Sequence, residues 1–155
     1  TPKDRNIIRL IRWIDKLPFL PIIGNGSYLQ QPVHVYDVAN AAIEVLDNKN
    51  TYKESFNLSG DRAISFLDLI NIISEGLNKK RIIKIFLPVR ISISVIKCLN
   101  YIKIKTPISP EQIERLNENK NFSYKKATKI FKYNPKTIEI GIKNEINLYK
   151  NKISL

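Results

Sequence analysis

The chain contains no methionine, one cysteine, one histidine and one tryptophan in 155 residues. Each scarcity excludes a class of chemistry. A lone Cys98 forms no internal disulfide and no cysteine-based zinc site. A lone His34 builds no histidine-rich metal centre, and no carboxylate cluster falls at ligand spacing. The five glycines include neither a G-x-G-x-x-G fingerprint nor a phosphate-cradling P-loop. No apolar run approaches the roughly 20 residues a membrane helix needs. The opening "TPKDRN" is polar and runs into Arg9, Arg12 and Asp15, unlike a secretory leader. The expectation is a cytoplasmic protein, reduced at its cysteine and without a membrane partner. Asn25-Gly26-Ser27 and Asn57-Leu58-Ser59 are then chance glycosylation sequons. The missing methionine and scarce glycine read as part of something longer.

Hydrophobic residues at 43% and charged residues at 26% indicate a globular chain of one ordinary domain. The net charge of +12 invites a nucleic-acid reading. The basic residues, however, scatter from Lys3 to Lys152 instead of forming one tract, and the abundance of Ile, Asn and Lys marks an AT-rich genome. The charge is read as composition first and as a trace of a phosphate-bearing small ligand second, with no nucleic-acid partner.

Periodicity predicts a helix over 6–16, with Ile7, Ile8, Ile11 and Ile14 on one face. Pro18 and Pro21 interrupt it; "FLPII" reads as extended and Gly24-Asn25-Gly26 as a turn. "PVHV" reads as a second strand. A helix follows with Asp37 in its first turn and an apolar stripe of Val38, Ala41, Ala42, Val45 and Leu46. "SFNLSG" reads as a strand closed by Gly60, and Ser65 with Asp68 as a capping box opening a helix. "RIIKIFLP" is a strand ended by Pro88, and 91–101 a helix. Ser109-Pro110-Glu111-Gln112 starts another helix, followed by two more near 123–131 and 137–150. The sum is a single α+β unit, helix-rich with a few short strands.

Several residues invite a chemical role. On a strand His34 points opposite to Val33 and Val35, and a half-buried histidine there is read as structural before ligand-contacting or catalytic. Tyr101 and Lys105 have the Y-x-x-x-K spacing of a proton-transferring pair, but seven tyrosines in a lysine-rich chain produce that spacing by chance. Arg5, Arg9 and Arg12 read as a solvated face, and Arg115 with Lys120 as the better cationic pair for a ligand. "ISISVIKCLNYIKIK" is basic and amphipathic, and burial against the domain is favoured over docking on a membrane.

Taken together, "LPIIGNG", "QPVHVYDVANAAIEVL", "FNLSG", "ISFLDLINIISEGL" and "SPEQIERLNENKNFSYKKATKIFKYNP" resemble the C-terminal half of extended short-chain dehydrogenases/reductases, the nucleotide-sugar epimerase/dehydratase family. The likeness runs from about residue 4 to 150, in family order. It implies the substrate-binding subdomain of an α/β Rossmann-type protein. The NAD(P) loop and the catalytic Ser/Thr, Tyr and Lys then lie in an N-terminal half that this sequence lacks. The chain alone would be inactive, with no catalytic residue, no metal and no cofactor of its own; the intact protein would use NAD or NADP on a nucleotide sugar, in surface-polysaccharide synthesis. The resemblance places Pro21 and Ile23 against the nucleotide base. It places Gln30 where the family has a diphosphate-binding arginine, a neutral amide replacing a bidentate cation. Arg115 or Lys120 could substitute. His34 and Asp37 become structural residues of the strand-to-helix corner. Homodimerisation in this family runs through the Rossmann half, which leaves a homodimer open. An alternative reading is a non-catalytic binding or assembly subunit with the same fold.

Overall fold

The computed structural model describes residues 6–79, 82–101, 109, 111, 113, 115 and 118–153. Helix α1 (Ile7–Lys16) turns Leu10, Ile11 and Ile14 inward. Its last carbonyls have no partner within the helix. Lys79, distant in sequence, fills that role: its Nζ donates to the carbonyls of Ile14, Asp15 and Leu17 at 2.5, 2.7 and 2.9 Å. A cation suits the negative end of a helix dipole.

Strand β1 (Phe19–Ile23) follows, then the Gly24–Gly26 turn, with both glycines at positive φ. Gly26 is closed to other residues, since a Cβ there would lie 2.9 Å from the Leu67 side chain. Strand β2 (Leu29–Gln30) leads to helix α2 (Val35–Leu46), and β3 (Ile64–Ser65) leads into helix α3 (Phe66–Gly76). The capping box forms there: Asp68 N–H donates to Ser65 Oγ at 3.0 Å, and Ser65 Oγ donates back to the Asp68 carboxylate at 2.7 Å. Strand β4 (Ile83–Leu87) runs parallel to β1, with Pro21 opposite Ile85 and Ile23 opposite Leu87. β2 and β3 pair antiparallel, with Gln30 opposite Ile64. Helices α4 (Val89–Tyr101), α5 (Lys125–Phe131) and α6 (Ile138–Ile153) complete the regular structure among the described residues.

Two clusters hold these elements. The larger packs α1, α3 and α6 with β1: Ile11, Ile14, Leu20, Ile22, Ile70 and Ile73 are fully buried, joined by Ile142 and Ile146 from α6. Each such side chain withdrawn from water contributes about 1.5–3 kcal/mol. Tyr149 of α6 reaches the Asp15 carboxylate at 2.8 Å and ties α6 to α1. The smaller cluster, between α2 and α5, is aromatic: Phe131 and Tyr133 pack with Ala41 and Ala127, edge-on to Phe56 and Tyr124.

Four sequence expectations change. "PVHV" is not a strand; Pro32 has no N–H to give a ladder, and the helix begins at Val35. "SFNLSG" is extended but unpaired by strand, because side chains take its backbone groups: Lys126 on the Ser55 carbonyl, Tyr133 on that of Ser59, Gln31 on that of Gly60. The stripe on α2 is buried only at Ala41, while Val38 and Leu46 are exposed. Helix α4 is likewise less buried than expected: Ile91 and Val95 face solvent at 57% and 50% exposure, while Ser92 is inside and bonds back to the Pro88 carbonyl. Of the helix signal at 109–112, Pro110 and Gln112 lie outside the described residues, although Ile113 N–H does donate to the Ser109 carbonyl.

Candidate functional site

Three chain segments converge beside β2. Lys120 N–H donates to the Leu29 carbonyl at 3.0 Å, and Leu29 N–H to the Asn119 side chain at 2.9 Å. Gln31 clamps the other two segments, its amide donating to the Gly60 carbonyl at 2.9 Å and accepting from Phe122 N–H at 2.6 Å. Ser59 Oγ donates to the Phe122 carbonyl at 2.9 Å, and Tyr124 OH to that of Asp61 at 3.2 Å. The approach of 59–61 to 31–32 is tight: a Cβ on Gly60 would lie 2.1 Å from the Pro32 carbonyl oxygen.

This junction walls a cavity of about 560 Å³, within the range of small-molecule sites. Gln31, Asp61, Arg62, Phe122, Lys125 and Lys129 line it, among others. Arg62 is engaged by carboxylates, with Asp61 at 3.0 Å and Glu139 at 2.5 Å. Its hydrogen bond holds the Glu139 carboxyl below the usual range, and that bond in turn raises the Arg62 guanidinium. Lys126 pairs with Glu54 at 2.7 Å and Lys136 with Asp37 at 3.5 Å. Lys125 and Lys129 have no carboxylate partner among the described residues.

Of the residues singled out from sequence, Lys120 is brought by its backbone to Leu29, the chain neighbour of Gln30. The Gln30 side-chain nitrogen is buried without a hydrogen-bond partner among the described residues. Pro21 and Ile23 lie on the separate β1–β4 sheet, Pro21 exposed and Ile23 half-buried. Arg115 is exposed on the helical residues that follow Ser109. Gln31, Phe122, Lys125 and Lys129 were not singled out; the signal available was the interleaving of aromatic and basic residues in "FSYKKATK".

His34 is the N-cap of α2, its Nδ1 accepting from Tyr36 N–H at 3.3 Å. Asp37 is buried and accepts from Lys136 N–H at 2.9 Å, fastening α2 to the turn between α5 and α6. Tyr101 is 89% exposed at the end of α4, and Lys105 lies outside the described residues. Among the described residues no group of His, Cys, Asp or Glu is arranged to hold a metal ion, and no helix is long and apolar enough to cross a membrane.

No protein-family model matches the chain. Its architecture nevertheless recurs in solved structures. The epimerase Mth375 of Methanothermobacter thermautotrophicus superposes with a TM-score of 0.71 at 17% identity, over 98% of this chain and 39% of that one. The dTDP-glucose 4,6-dehydratase of Bacillus anthracis str. Ames, in complex with NAD, gives 0.68 at 17%, over 96% and 40%. The chain has the fold of the C-terminal part of an extended short-chain dehydrogenase/reductase. A curated protein to which the chain is similar is subunit 9 of the NADH dehydrogenase [ubiquinone] 1 alpha subcomplex of Arabidopsis thaliana, mitochondrial, 26% identical over 118 residues. The match takes in 75% of this chain and 29% of that protein, so the chain spans less than half the length of the proteins it resembles.

Proposed function

We propose that this chain is the substrate-side part of an NAD(P)-dependent nucleotide-sugar epimerase or dehydratase, completed by an N-terminal Rossmann half and inactive without it. The observation that supports this most is the apolar surface left uncovered. Helix α2 exposes Val35, Val38, Ile43 and Leu46 at 37–70%. The two-stranded parallel sheet exposes Phe19, Ile83, Ile85 and Phe86 at 42–65%. Parallel strands are ordinarily covered on both faces, and soluble monomers rarely leave large apolar faces in water. The 55–60 segment, with the sequence of a strand and no strand paired to it among the described residues, belongs to the same picture.

In this reading the half carrying the dinucleotide loop covers those faces in a cytoplasmic protein, NAD or NADP binds there, and the nucleotide sugar contacts Pro21, Ile23, Gln30, Arg115 and Lys120. Lys120, whose backbone bonds the chain neighbour of Gln30, supplies the positive charge that the amide lacks. His34 and Asp37 hold the corner between β2 and α2. Nucleic acid has no part in it, and any homodimer forms through the Rossmann half.

The first experiment is the intact mass of the native gene product from its source cells, with turnover of UDP- and dTDP-glucose assayed with NAD and NADP. The expected result is a mass near twice 18.0 kDa, turnover by the intact protein, and none by the 155-residue chain. Turnover by the chain alone, or a native product of 18.0 kDa, overturns the reading.

A second reading, a non-catalytic subunit with the same fold, is favoured by one observation: Gln30, in place of an arginine, turns its amide nitrogen into a buried position with no hydrogen-bond partner among the described residues. The likeness to an NADH dehydrogenase subunit agrees with it. Nucleotide-sugar binding by the intact protein without turnover selects this reading.

A further inference from the structure

We infer that the cavity between α5 and the Gly60–Arg62 loop is a binding site for a small phosphate-bearing ring compound of the nucleotide class, formed entirely within this chain. It is a different place from the contacts proposed above for the sugar substrate: Gln31 lines it, while Gln30, Pro21 and Ile23 do not. Its lining residues all belong to this chain, so its ligand does not depend on the N-terminal half proposed above.

The argument starts from charge. Lys125 and Lys129 lie one turn apart on a seven-residue helix, where like charges repel and destabilise. Of the cations around the cavity, Arg62 is matched by Asp61 and Glu139, Lys126 by Glu54 and Lys136 by Asp37, whereas Lys125 and Lys129, the two lysines that line it, pair with no carboxylate among the described residues. The carboxylate on the cavity wall, Asp61, gives one oxygen to Arg62 and keeps the other buried, without a hydrogen-bond partner among the described residues, rather than turned to the lysines' solvent side. The two lysines thus leave an uncompensated pair of positive charges at a concave surface, which suits the two or more oxygens of one phosphate. The second element is Phe122, 53% exposed at the cavity mouth although its backbone is pinned on both sides, by Gln31 and by Ser59. A solvent-facing ring on a pinned backbone, lining the same cavity as a cationic pair, is a stacking platform next to an anion site. Asn121, Ser123 and Thr128 add hydrogen-bonding side chains around the same volume. The volume of about 560 Å³ admits a mononucleotide.

The test is a titration of the 155-residue chain with AMP, adenosine and inorganic phosphate, read by amide chemical shifts. AMP is expected to move the amides of 121–129 and Arg62 in a saturable way and to bind more tightly than either fragment. Lys125→Ala with Lys129→Ala, and separately Phe122→Ala, should each weaken AMP by about tenfold. Lys143→Ala, on the exposed side of α6, should leave affinity unchanged. The amide spectrum itself reports whether each variant is folded. Absence of saturation in the millimolar range, phosphate binding as tightly as AMP, or AMP affinity indifferent to the variants overturns the proposal. So does a single-stranded oligonucleotide that binds far more tightly than AMP with a steep salt dependence, which would make the surface a nucleic-acid site.

Discussion

The α1–α3–α6 core and the α2–α5 layer obey different physics within one small chain. The core is aliphatic, built from isoleucines and leucines at helical spacing, and needs almost no polar help beyond the Lys79 cap and the Tyr149–Asp15 bond. The α2–α5 layer buries few side chains completely and relies on edge-on aromatics and on side chains that satisfy backbone: Tyr133 on Ser59, Gln31 on Gly60 and Phe122, Asp37 on Lys136. The lesson is that both regions are stabilised well enough to hold their shape, the core by aliphatic packing and the layer by polar ties, yet each leaves an apolar face bare: the β1–β4 sheet beside the core, α2 in the layer, and α4 as well. A chain with two complete cores would not leave them so.

Breaking the aliphatic core should have the largest effect. Ile73→Ala removes a fully buried side chain between α3 and its neighbours, at an expected cost of about 4 kcal/mol in thermal or denaturant unfolding. Equal loss from a comparable truncation of an exposed isoleucine would refute the division. Next comes Gly60→Ala, which forces the Pro32 carbonyl away and should cost about 2 kcal/mol while loosening the cavity junction. Amide exchange should rise in 59–62 and 119–124 rather than in α1, α3 and α6.

Alkaline titration compares the two regions directly. Burial raises the Tyr149 hydroxyl to about 12, helped by Asp15, and burial raises Tyr133 to about 12, helped by Asp37. Tyr28 is raised by burial as well. Between the unfolded value of about 10 and the folded value, the native state keeps protons that the unfolded state has lost. Stability is therefore intact below about pH 10 and falls as pH climbs toward 12. Tm measured across that window should drop, and the drop should shrink in Tyr149→Phe and in Tyr133→Phe. A flat profile in the wild type would remove this account. The smallest effect is expected on the bare face: Leu46→Ser and Ile43→Ser should change stability by no more than about 0.5 kcal/mol in denaturant unfolding. A large loss of stability would mean that face is already packed.

Much of the fold was legible from residues alone. Isoleucine spacing marked α1 and α3, the Ser65–Asp68 pair marked a helix start that forms as drawn, and the run before Pro88 marked β4. These are local signals, governed by a helix turn or a strand pleat, and a single sequence carries them. The failures were non-local. "PVHV" and "SFNLSG" have strand-like residues, but a strand exists only when another presents free backbone groups, and here the side chains of Gln31, Lys126 and Tyr133 reach those groups first. The stripe on α2 and the isoleucines of α4 predict that something apolar lies against them; sequence cannot say whether that something is in the same chain.

The candidate sites divide along the same line. The amino-acid order by itself determined the helices and their caps, the absence of a dinucleotide loop, and the neutral Gln30 at a place where its resemblance expects an arginine. Only tertiary structure decided that the Lys120 backbone bonds Leu29 of the strand that carries Gln30 while Pro21 and Ile23 stand on another sheet, and that Phe122, Lys125 and Lys129 share a wall with Arg62. Those proximities join residues about 60 to 100 positions apart. They depend on where backbone donors and acceptors find partners once the core has closed, which no local pattern encodes.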